Sequence, residues 1–158
     1  YSHSLYWVFY LSSRHTKHLH ISALEFLMII GQLIIFGNKM PMPSGTCKYQ
    51  ILIQSDSLNA TMDLTEEAKK SPIMQYIHDK MLQRPEYQRL KHILQAGHIW
   101  GEGNSITDDL SRGDLQLAIN TCTMIGVKPN ELPVPSTFTQ LVNDCVEKAI
   151  SLGASKRQ

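Results

Sequence analysis

Three carboxylates stand where solubility does not call for a charge. Glu25 interrupts the apolar run Ala23–Phe36, Asp56 closes a stretch centred on Ile51-Leu52-Ile53, and Asp108 follows the turn Gly101-Glu102-Gly103-Asn104. Carboxylates that converge on one point repel each other unless a divalent cation neutralises them, and hard oxygen ligands of this kind suit Mg²⁺. Two such ions ~3.5–4 Å apart clamp the attacking and leaving oxygens of a phosphodiester. Each residue also has a local explanation. Glu25 lies three residues after Ser22, the spacing of a capping box. Asp56 is a common turn former or helix cap, and Asp108 favours a helix N-terminus electrostatically, with Ser105 as cap.

The elements that must position these groups follow from periodicity and punctuation. Leu5–Leu11 is aromatic and β-prone, which predicts a strand, and Arg14–His20 reads as a polar, His-rich connection. The apolar run up to Phe36 predicts a buried helix, opened by Ser22 and stopped by Gly37, Asn38 and the prolines at 41 and 43. It is shorter than the ~18–20 apolar residues a bilayer requires and carries a carboxylate, so no membrane span is expected. Tyr49–Asp56 predicts a strand covered on both faces. Helices are expected over Leu58–Lys70 and Pro72–Gln83, the latter with Ser71 as N-cap and Pro72 in its first turn. A strand is expected from His92 to Ile99, and helices over Ser105–Arg112, Asp114–Ile125 and Phe138–Leu152. The last two are separated by a linker bearing Pro129, Pro133 and Pro135. The order predicts an α/β fold, a mixed sheet flanked by helices.

Composition narrows the classes further. The chain has 158 residues, 42% hydrophobic and 18% charged, with 15 basic against 14 acidic side chains. That is enough for one domain with a real core and excludes wholesale disorder. The formal net charge of +1 supplies no global basic field that alone would announce nucleic acid. Cys47, Cys122 and Cys145 are odd in number and contain no CxxC, so a disulfide framework or structural zinc is not expected. His15, His18 and His20 lack Cys partners and read as a solvated segment in which Arg14 and Lys17 touch phosphate, rather than as a metal cluster. Glu66–Lys70 reads as an exposed, ion-paired helix face. The chain begins with Tyr rather than Met, and Tyr1 is not expected to be the natural start.

Three segments carry a family resemblance. His98–Arg112 resembles the "H-I-P-G-x-x-N-x-x-A-D-x-L-S-R" ending of the ribonuclease H domain in gypsy-like and DIRS-like retroelement reverse transcriptase polyproteins. Ile21–Leu27 is similar to that family's "I-N-x-L-E-L-L" helix start, and Ile51–Ser57 to its "V-x-I-x-S-D-N" strand. The resemblance spans roughly residues 6–112. It implies a ribonuclease H-like domain over 1–112, missing its first strand or strands, and a helical C-terminal extension over 113–158.

By the same resemblance Glu25, Asp56 and Asp108 are catalytic carboxylates and ligands of Mg²⁺ (or Mn²⁺), and His98 is structural. The reaction implied is metal-assisted hydrolysis of the RNA strand of an RNA–DNA hybrid, recognised by shape, phosphates and 2′-hydroxyls. Further implied partners are the remainder of a polymerase polyprotein, in cytoplasm or nucleus. The family's first catalytic carboxylate, on an opening strand, has no counterpart here, because residues 1–24 contain neither Asp nor Glu. That departure implies impaired hydrolysis. It leaves two alternatives open: a non-catalytic nucleic-acid-binding module, or a structural connection module, derived from such a polymerase. Trp100 replaces the motif's proline, and Thr107 its alanine, where it is expected to crowd a helix contact.

Overall fold

The computed structural model describes residues 2–39, 49–56, 71–99 and 105–157. The fold is mixed α/β, in the order β1 (Ser2–Tyr6), α1 (Ser13–His18), α2 (Ile21–Gly37), β2 (Ile51–Ser55), α3 (Pro72–Leu82), α4 (Pro85–Leu90), β3 (Leu94–His98), α5 (Ser105–Ser111), α6 (Leu115–Met124), β4 (Val127–Glu131) and α7 (Ser136–Arg157). The expected helix over 58–70, the charged face within it, the turn at 101–104 and Cys47 lie outside the described residues. Among the described residues, no helix is long and apolar enough to cross a membrane.

Two compact units emerge, one of residues 1–10 and 99–134, the other of residues 11–98 and 135–158. These units are groups of mutually packed residues, a different matter from the ancestral boundary expected after Arg112. The sheet structure of the described residues is two separate pairs, β1 with β4 and β2 with β3, both parallel.

In the larger unit the core is built around α2. Its residues alternate in no simple stripe: Phe26, Leu27, Ile29, Ile30, Leu33 and Ile34 are all buried, as in a helix packed on several sides. It packs on α3, α4 and α7, which contribute Ile77 and Met81, Leu90, and Phe138, Val142 and Val146 to the core. Phe26 stacks on the buried His78 with ring centroids 6.5 Å apart. The expected cap of α3 is present: the Ser71 hydroxyl accepts from the Met74 amide at 3.4 Å, with Pro72 in the first turn.

The N-terminus of α2 differs from expectation. The cap is His20, whose Nδ1 accepts from the Ser22 amide at 3.3 Å. Ser22 is therefore inside the first turn, and Glu25 has no capping-box role. The Arg14–His20 connection is in fact largely helical: α1 forms because the His15 ring reaches back to the Ser12 amide at 2.9 Å. The helix α4, opened by Pro85, was not expected; Lys91 to Ile93 lead from it into β3.

In the smaller unit the strand expected at Leu5–Leu11 lies earlier, at Ser2–Tyr6. Its end is set by its partner, because Leu132 donates to the Tyr6 carbonyl at 2.8 Å and Pro133, with no N–H, follows. The proline-bearing linker is itself a strand, β4, so the segment after Arg112 is not purely helical. Pro129 is tolerated because every strand of a two-stranded sheet is an edge. Asp114 caps α6 by accepting from the Leu117 amide at 3.3 Å. Gly113, between α5 and α6, has φ +79°, a left-handed conformation that favours glycine.

Candidate functional site

The best-built feature of the larger unit is the carboxyl end of the β2–β3 pair. The strands are in register from Ile51 opposite Leu94 to Ser55 opposite His98. Ile53 points into the core, whereas Leu52 and Gln54 on the other face are exposed. The continuous apolar centre is thus covered on one face only. Asp56 is the first residue past β2, and its side chain is exposed. His98, the last residue of β3, places Nε2 3.0 Å from the Asp56 carbonyl oxygen. A carbonyl can only accept, so Nε2 carries the proton in this contact. The imidazole ties the two strand ends together where open α/β sheets locate their sites.

Glu25 belongs to the same unit, half-buried on α2. Among the described residues its carboxylate has no hydrogen-bond or ion-pair partner. Asp108 belongs to the other unit, in the first turn of α5 as expected. Its Oδ2 lies 2.6 Å from Arg112 Nη2, one helical turn on, and its side chain is 37% exposed. A cation at Asp108 would compete with that guanidinium. Thr107 is exposed, so its extra bulk over alanine meets solvent rather than a helix.

The donor chemistry of Glu25, Asp56 and Asp108 suits Mg²⁺ or Mn²⁺. Among the described residues, no group of three or more His, Cys, Asp or Glu side chains is gathered to hold a metal ion. The histidines at 15, 18 and 20 likewise form no such group; two of them serve as caps.

No protein-family model, curated protein or solved structure matches the chain.

A second buried polar centre went unread in the sequence. Glu86, only 4% exposed, accepts from Arg84 Nη2 at 2.9 Å and Nε at 3.1 Å, and from Asn38 Nδ2 at 3.5 Å. Burial raises this carboxyl, but the Arg84 fork and the Asn38 amide outweigh it and hold Glu86 below its ordinary range. Both carboxylate oxygens are engaged, and the group links the end of α2 to the start of α4. The signal was faint: Arg84 and Glu86 flank a proline in a surface-like word. In the smaller unit an apolar cavity of about 30 Å³ is lined by Tyr6, Ile106, Leu110, Leu115, Ala118 and Cys122, among others.

Proposed function

We propose that this chain is a ribonuclease H-like, nucleic-acid-binding domain derived from a retroelement polymerase, acting inside the cell, with hydrolysis impaired. The observation that carries the reading is the His98–Asp56 contact at the carboxyl end of a parallel strand pair. It brings together the ends of two words, Ile51–Ser57 and His98–Arg112, that resemble the same family and lie far apart in sequence. The helix that opens with the third word, α2, packs in the same unit as that strand pair and carries Glu25. Hybrid recognition through phosphates and 2′-hydroxyls requires no metal. Hydrolysis does, and residues 1–24 contain no Asp or Glu that could stand as the family's first carboxylate.

The test is direct. Fluorescence anisotropy with a labelled RNA–DNA hybrid should show salt-dependent binding by the full chain, stronger than to duplex DNA of the same sequence. With Mg²⁺ added, cleavage of the RNA strand should be slow or undetectable, and any that occurs should disappear in Asp56→Asn. A chain that ignores the hybrid, or cleaves it undiminished as Asp56→Asn, does not have the function proposed.

A further inference from the structure

We propose that the segment Arg14–His20 is the surface this domain lays against nucleic-acid phosphates, an inference that rests on the nucleic-acid-binding reading. Overall charge is nearly balanced, but it is unevenly distributed: residues 1–24 contain no acidic side chain, while Arg14, His15, Lys17, His18 and His20 fall within seven positions. Arg14, Lys17 and His20 are exposed. Arg14 and Lys17 are one turn apart on α1 and so share a face.

The segment is held in shape chiefly by groups other than its two cations. Leu19 is buried and anchors it, and α1 packs on α7. His15 and His20 act as caps through Nδ1, accepting from the Ser12 and Ser22 amides. With Nδ1 accepting, the ring proton sits on Nε2, so the exposed His20 adds an N–H donor beside the two cations. Glu147 on α7 pairs with one Arg14 nitrogen. A guanidinium has about five N–H donors, and this exposed pair is weak enough to yield to a phosphate.

The occupant follows from what the segment lacks. The six residues of α1, Ser-Arg-His-Thr-Lys-His, contain no apolar side chain. A membrane-surface helix needs an apolar face to sink into the lipid, and a protein interface needs an anchor to bury. A nucleic-acid backbone needs neither, since displaced counterions supply the driving force.

Anisotropy with the RNA–DNA hybrid across a salt series tests this. Arg14→Gln/Lys17→Gln should lower the slope of log affinity against log salt by about two and weaken binding about tenfold at moderate salt. Lys91→Gln/Lys128→Gln, an equal loss of charge elsewhere, should leave the slope unchanged. Glu147→Gln should tighten binding about twofold, an effect that misfolding does not mimic. His20→Asn, which keeps a capping acceptor, should weaken binding with an unchanged melting curve. If the native chain binds hybrid and both double variants bind alike, the surface is misassigned while the nucleic-acid reading stands. If the native chain binds anionic vesicles but no hybrid, both fall.

Discussion

His98 donates to the backbone of Asp56 just past the last rung of the β2–β3 ladder, so the residue that ends one strand holds the residue that follows the end of the other. His98→Ala removes that donor. Amide exchange should quicken at the end of β2, with a stability loss of about 0.5–1.5 kcal/mol, the usual worth of one such bond. Exchange that stays unchanged around Asp56 would mean the contact does not order the strand end.

Gly37, the last residue of α2, lies against Glu86. A Cβ there would sit 2.9 Å from the Glu86 Cβ, which is fixed by the Arg84 fork and cannot swing aside. Gly37→Ala should therefore cost about 1–3 kcal/mol in chemical denaturation despite alanine's better helix propensity. Gly153, with open space around it, is the control position; Gly153→Ala should be neutral or stabilising.

Glu86 also predicts an acid limb in the stability profile. Its carboxyl is held below the ordinary value of 4.5 in the folded chain. The folded state thus binds the proton less readily than the unfolded state. The stabilisation is complete above the ordinary value and is lost as pH falls through the lower, folded one. Glu86→Gln should lower stability near neutral pH and flatten that limb. Equal acid limbs in the two proteins would show that the loss arises elsewhere.

Burial, with Asp144 adding to it, pushes the Cys145 thiol up to about 12. The thiolate is the reactive species, so Cys145 should resist iodoacetamide at neutral pH and react only after denaturation. Peptide mapping by mass spectrometry reads this out. Modification of Cys145 in the folded chain would contradict the packing of α7.

Phe26 is fully buried and meets His78 from α3. Phe26→Ala should cost about 3–5 kcal/mol, a large share of the stability of a domain this size. A loss below ~1 kcal/mol in a urea titration would place α2 outside the cooperative core.

Local punctuation made much of this chain legible before any coordinates. Ser71-Pro72 opens α3 as its sequence signals, because a cap satisfies amides within its own turn and so depends on neighbours in sequence alone. The long apolar run had to be a buried helix, and the apolar strand ending at Asp56 had to enter the core. Tertiary partners decided the rest. Pro129 reads as a linker until β1 supplies a pairing edge, and the span of β1 was set by where β4 runs into Pro133. His20, not Ser22, caps α2, its ring Nδ1 accepting from the Ser22 amide. Charge spacing made an Asp108–Arg112 pair possible, but no spacing predicts that Glu86, in a word of polar residues, becomes buried with its own counter-ion. Burial and long-range pairing are properties of the packed chain, and side-chain periodicity reports only which face seeks cover, not what covers it.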